Sequence, residues 1–135
     1  MYYKYVEDFI RIMRLKNAKY FAYLSLNGIT SNSFNNLGFL DNSTHDFFSQ
    51  LISNSLLDDT VVVFMSDHGP QAGAISETYF KEVESRLPFM FISLGKRLRR
   101  QYGDILDTNA NRLVTPFDIH ATLKHILYGN TLICL

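Results

Sequence analysis

Apolar positions along the chain fall either at helical spacing or in short continuous runs. Val6, Phe9, Ile10 and Met13 recur at helical spacing and predict an amphipathic helix over Tyr3–Lys16. Tyr20–Leu26 is rich in aromatic residues and predicts a first strand, closed by Asn27 and Gly28. The polar, Asn- and Ser-rich stretch Asn27–Gly38 reads as a loop. Helical spacing returns in Asp41–Leu57, with Phe47, Phe48, Leu51, Ile52 and Leu56 on one side and Asp41 or Ser43 as the cap.

The next run, Val61-Val62-Val63-Phe64-Met65, has no polar alternation. Such a run predicts a strand buried on both faces, hence parallel pairing under helices. Pro70–Ser85 carries Gly73 and scattered polar residues and reads as a loop bordering a site. Leu87–Leu94 predicts a third strand, with Pro88 confined to its first positions. A short, weak helical pattern covers Asp104–Arg112. A stronger one follows Thr115, with Pro116 at the first helical position, Asp118 at capping-box spacing and Gly129 past the end. Ile119, Leu123, Ile126 and Leu127 are its expected core face. Helices alternating with apolar strands predict an α/β fold with a mainly parallel sheet.

The most informative point is where the Val61 strand stops, at Ser66-Asp67-His68-Gly69. In open α/β sheets, ligands lie beyond the carboxyl ends of the strands. A carboxylate beside an imidazole there offers one hard oxygen and one nitrogen of intermediate softness to a divalent cation. Zinc or manganese suits this set best, and calcium is also compatible. The alternative reading is a local turn, with Asp67 accepting backbone N–H bonds and His68 exposed.

Composition narrows the picture. With 135 residues, 47% of them hydrophobic, the chain can bury one core of ordinary size. Thirteen basic and thirteen acidic side chains balance, so no overall field favours nucleic acid or an anionic membrane. The cluster Lys96, Arg97, Arg99 and Arg100 reads as a solvated face. No apolar stretch is long enough to span a bilayer, and no signal-peptide pattern opens the chain. The lone Cys134 cannot form an intrachain disulfide. One glycosylation sequon, Asn42-Ser43-Thr44, is compatible with a secretory route.

Three ordered motifs carry a family resemblance: Ser66-Asp67-His68-Gly69 after its strand, Glu84-Ser85-Arg86-Leu87-Pro88 before the next, and Asn111–Asp118 followed by His120-Ala121-Thr122-Leu123. Together they resemble the alkaline phosphatase superfamily, in particular its sulfatase-like animal branch of undetermined function (domain of unknown function 229). The resemblance runs from about Tyr5 to Gly129. It implies a partial sulfatase-like α/β domain over residues 1–135, in which Asp67 and His68 ligate the metal. By the same resemblance Glu84, Arg86 and His120 are candidates for contacting an anionic ester substrate. Their plainer readings are an ion pair for the first two and a helix-surface histidine for the third.

The resemblance further implies a metal-dependent hydrolase or transferase of sulfate or phosphate esters, in a secretory or extracytoplasmic setting. The family's nucleophile belongs upstream of the Asp-His-Gly motif, so the chain is expected to be the C-terminal half of a catalytic domain, inactive alone and completed by the missing half or an oligomeric partner. Ser66, Thr78 and Thr115 do not sit in the nucleophile's context, and Cys134 lacks the neighbours of a sulfatase's modified cysteine. The loop after the first strand has neither the histidine nor the acids of the resembled branch, which argues against a second metal. The competing expectation is a non-catalytic, degenerate member acting as an interaction module.

Overall fold

The computed structural model describes residues 2–26, 36–69 and 79–129, without the side chain of Glu84. Residues 27–35 and 70–78 of the predicted loops Asn27–Gly38 and Pro70–Ser85, Thr78 among them, and Cys134 lie outside the described residues; the described ends of both loops are helical from Leu37 and from Lys81, against the loop reading. The described elements are α1 (Tyr2–Leu15), α2 (Leu37–Ser53), β1 (Val61–Met65), α3 (Lys81–Arg86), β2 (Met90–Leu94), α4 (Lys96–Asn109) and α5 (Pro116–Tyr128). The chain divides into two compact units, Met1–Ser93 and Leu94–Leu135.

In the first unit α1 packs on α2. Val6 and Ile10 bury their side chains against Phe47, Leu51 and Leu56, and Tyr3 stacks on Phe47 with ring centroids 4.6 Å apart. The Tyr3 and Thr44 hydroxyls meet at 2.7 Å beside that stack. Glu7 is buried on the same helix, and Arg11 holds its carboxylate through Nε and Nη2 at 2.9 and 2.6 Å, so the burial leaves no unpaired charge.

Both helices stop the same way. After α2, the Ser55 N–H donates to the Ile52 carbonyl and the Leu56 N–H to the Leu51 carbonyl, with Ser55 left-handed at φ 54°. After α1, Asn17 (φ 47°) and Ala18 make the equivalent bonds to Arg14 and Met13. These are Schellman turns built without glycine, and Leu56 meeting Leu51 in the core supplies the hydrophobic contact that such turns favour. Arg14 ties the two ends together by donating from Nη1 to the Ser55 carbonyl at 2.7 Å.

The strands depart from expectation in three ways. Tyr20–Leu26 forms no strand; side chains tether it instead, Tyr20 by hydroxyl contact with Thr60 at 3.1 Å and Ser25 by its N–H to the Tyr2 hydroxyl at 3.2 Å. The sheet among the described residues has two strands, β1 and β2. They run antiparallel, because Ser66 at the end of β1 bonds Phe89 at the start of β2. Parallel pairing would have needed the chain to be carried back beside Val61. With one partner strand, β1 is half-buried at Val61–Val63 and exposed at Phe64 and Met65, not covered on both faces. The coarse α/β description holds.

A line of rings joins the helices to the sheet. Phe47, Phe48, Phe64, Phe89 and Phe91 follow one another at centroid separations of 5.3, 5.8, 5.4 and 5.7 Å. The end of β1 is thereby referenced to the buried helix pair, each contact adding a favourable tilted or edge-on geometry to area burial.

The second unit contains α4 and α5. The predicted Asp104–Arg112 helix is longer and starts earlier, at Lys96. Its weak signal has a cause: Gly103 lowers the helix propensity in the middle of an unbroken helix, and no acidic residue stands in the first turn. The bare Gly103 backbone lets the Arg99 side chain lie across it and reach Asp107, with Nη2 at 3.1 and 2.9 Å from the two carboxylate oxygens.

Helix α5 begins and ends as predicted, with Thr115 and Asp118 paired at the start and Gly129 at the end. Of its predicted core face only Ile119 is half-buried, and the rest departs from prediction. Thr122 is buried and Asp118 and His125 are half-buried, whereas Leu123, Ile126 and Leu127 are exposed, the last at 72%. Tyr102 of α4 meets the His125 ring edge-on at 6.0 Å, so a polar seam lies between these helices. No helix among the described residues is long and apolar enough to cross a membrane.

Candidate functional site

Ser66–Gly69 forms a short turn held at both ends by the segment that leads into β2. At its start the Ser66 N–H donates to the Phe89 carbonyl at 3.1 Å, and the Phe89 N–H donates to Ser66 Oγ at 3.2 Å. At its far side the Gly69 N–H donates to the Ser85 carbonyl at 3.2 Å. The Asp-His-Gly and Glu-x-Arg-Leu-Pro motifs, separate in sequence, are thus in direct contact.

Between these fastenings stand Asp67 and His68, both exposed, with side chains 84% and 51% accessible. The His68 N–H donates to Asp67 Oδ1 at 3.0 Å. The ring nitrogen Nδ1 lies 2.8 Å from the Gly69 carbonyl. A carbonyl oxygen can only accept, so the proton belongs on Nδ1 and the neutral ring leaves Nε2 with its lone pair bare. Nε2 faces Asp67 Oδ2 at 3.6 Å. Two ligand atoms on one tetrahedral zinc ion sit roughly 3.4 Å apart, given bonds of about 2.0–2.2 Å. The pair therefore fits a shared cation in both donor type and spacing. No group of three or more His, Cys, Asp or Glu side chains converges among the described residues, so Asp67 and His68 form a two-donor set.

The local-turn reading is also satisfied in part, since Asp67 spends Oδ1 on the His68 backbone. It leaves Oδ2 and Nε2 unspent, facing each other.

The other candidates are more scattered. Residues 84 and 86 are helical within α3, so they do not alternate as in a strand. Arg86 Nη2 sits 3.4 Å from Glu82 Oε2, both side chains well exposed, which makes its ion partner Glu82 and the pair weakly stabilising. The Glu84 side chain lies outside the described atoms. His120 is in the second unit, exposed on α5, with Lys124 one turn later and also exposed. His45 is exposed on α2 with its Nδ1 3.4 Å from Asp46, and His125 lies in the α4–α5 seam.

Sequence reasoning weighed Ser66 only as a hydroxyl outside the nucleophile's context and did not single out Ser85; both hold the turn. A small hydroxyl residue directly before the acid, facing an X-Pro-aromatic segment, was the available signal. The hydroxyls of Ser66 and Thr115 are both engaged, the latter donating to Asp118 Oδ2 at 2.6 Å. That bond, joined by the Thr115 N–H at 2.7 Å, holds the Asp118 carboxyl below its ordinary value. Two shallow clefts lie elsewhere, one of about 360 Å³ lined by Arg11, Arg14, Leu15 and Leu56, the other of about 260 Å³ on α4 around Asn109.

No curated protein and no solved structure matches the chain. A family match does extend over residues 1–132, taking in α1, the Asp67–His68 turn and α5 alike, and by it the chain belongs to the family described as protein of unknown function, DUF229.

Proposed function

We propose that Asp67 and His68 form the cation-binding side of a site that processes sulfate or phosphate esters, with zinc or manganese as the favoured ion and calcium compatible. The observation that carries this reading is the placement of the His68 ring: Nδ1 lies 2.8 Å from the Gly69 carbonyl, a geometry that puts the proton there, and Nε2 faces Asp67 Oδ2 at 3.6 Å. A histidine bound to metal characteristically spends its other ring N–H on such an acceptor. The fastening of the turn by Ser66, Phe89 and Ser85 supports the same reading, because a ligand pair held before the ion arrives loses less entropy on binding.

When bound, the cation would supply positive charge to the attacking and departing oxygens of an in-line displacement. Asp67 would hold it by charge, and His68 by a directed lone pair. Arg86, one residue after the Ser85 carbonyl that holds Gly69, is an exposed guanidinium suited to an ester's anionic oxygens. The proposal carries with it an alkaline-phosphatase-like α/β domain.

Titration calorimetry with zinc and manganese tests the reading. Binding in the micromolar range or tighter, abolished by both Asp67→Ala and His68→Ala, supports it. Absent binding, or binding indifferent to both substitutions, rejects it. The latter result favours the second reading, a non-catalytic interaction module, which draws on the exposed apolar side chains Phe21, Tyr23, Phe91 and Leu127.

A further inference from the structure

We infer that Asn42 is an acceptor for N-linked glycan. The chain carries one Asn-x-Ser/Thr sequon, Asn42-Ser43-Thr44, and the fold places it within α2. Nine residues at about 100° each put Asn42 about 180° around the helix from Leu51, the most deeply buried side chain of the core. Asn42 is exposed, and among the described residues no hydrogen bond or ion pair engages its amide. A glycan there projects into solvent and displaces nothing in the α1–α2 core. Phe39, one turn earlier and exposed, offers an apolar ring near the first sugar.

Thr44 sets the order of events. Its hydroxyl, which the acceptor reaction requires two residues after the asparagine, is held by the Tyr3 hydroxyl at 2.7 Å once α1 and α2 have packed. Attachment therefore precedes packing and occurs on the entering chain. In the transfer, a polyprenyl-diphosphate-linked oligosaccharide is the co-reactant. A bond forms between the anomeric carbon and Asn42 Nδ2, the glycosyl–phosphate bond breaks, the polyprenyl diphosphate leaves, and the amide nitrogen gives up one proton.

The test is expression of the full chain behind a cleavable secretory leader in eukaryotic cells, followed by peptide:N-glycosidase treatment of both secreted and cell-retained, leader-cleaved chain. The expected result is a gain in mobility and a deamidation mark at Asn42. Asn42→Gln and Thr44→Ala should both lose the glycan, while Ser43→Ala and Tyr3→Phe keep it. Tyr3→Phe separates the sequon from the folded contact, since it removes the hydroxyl partner of Thr44 alone. Leader-cleaved chain that the glycosidase leaves unchanged overturns the inference, as does a glycan that survives Asn42→Gln.

Discussion

Ser66 and Phe89 hold each other twice, backbone N–H to carbonyl at 3.1 Å in one direction and backbone N–H to side-chain Oγ at 3.2 Å in the other. The serine side chain thus substitutes for the next rung of the β1–β2 ladder and frees the backbone after Ser66 to leave the strand. Asp67 and His68 emerge at that departure.

Ser66→Ala removes the acceptor for the Phe89 N–H and leaves the other bond in place. Because the bond is exposed, its loss should cost about 0.5–1.5 kcal/mol. If the clamp preorganises the turn, zinc affinity falls by no more than about tenfold, the equivalent of about 1.4 kcal/mol. Calorimetry checks both limits: affinity equal to the unsubstituted chain removes the clamp from the argument, and complete loss would make Ser66 a ligand.

The His68 tautomer is directly observable. In the neutral ring the proton should reside on Nδ1, opposite the Gly69 carbonyl, and long-range ¹H–¹⁵N correlation distinguishes the two ring nitrogens. Zinc addition should then perturb Nε2 and spare Nδ1. A ring protonated on Nε2 would dissolve the shared-cation geometry with Asp67.

Leu51 and Ile52 are adjacent but lie on opposite sides of the core boundary, at 1% and 66% exposure. Leu51→Ala should destabilise the first unit by about 2–5 kcal/mol through lost burial and a cavity beneath α1. Ile52→Ala should change stability by less than about 0.5 kcal/mol. Denaturant unfolding of the two variants measures the difference, and equal losses would contradict the α1–α2 packing.

Ser55 occupies a left-handed position that glycine fills without a Cβ penalty. Ser55→Gly relieves that strain, at some cost in unfolded-chain entropy, and should raise stability by about 0.5–1 kcal/mol. Asn17→Gly at the equivalent turn after α1 should gain less, since asparagine tolerates this conformation. A destabilised Ser55→Gly chain would show that the serine side chain contributes more than its backbone costs.

These two turns also mark how far the sequence could be read. Helix α5 was legible because its signals, Thr115, Pro116, Asp118 and Gly129, act within a few residues of where they stand. Asn17 and Ser55 gave no comparable warning, since neither residue advertises a left-handed stop, and α2 was accordingly placed several residues late. Strand direction was illegible for a different reason. The composition of Val61–Met65 reports an apolar environment, but antiparallel pairing is decided by where Ser85–Phe89 meets the end of β1. Periodicity likewise grouped Ile119, Leu123, Ile126 and Leu127 as one side of α5, of which Ile119 alone is half-buried, without stating that Thr122 and His125 would face inward. The Asp67–His68 pair was legible as donor types after a strand. Its tautomer and the Ser66–Phe89 clamp needed the fold.

Asp118 gives the second unit a measurable acid response. Its carboxylate is lowered first by the hydrogen bond from the Thr115 hydroxyl and next by that from the Thr115 N–H. A carboxyl depressed in the folded state contributes stability that is present above its ordinary value of 3.8 and is lost as pH falls through the depressed folded value. The start of α5 should therefore stay capped through pH 3.8 and loosen only at greater acidity. A ¹³C-carboxyl titration reads this at the group itself. In the unsubstituted chain the Asp118 midpoint should lie below 3.8. Thr115→Ala, which deletes the larger cause and keeps the backbone donor, should move it part of the way back. Asp118→Asn should leave the α5 start with no such acid dependence. A midpoint at or above 3.8 in the unsubstituted chain would mean that the Thr115–Asp118 pairing does not persist in solution, and with it would go the account of why α5 begins at Pro116.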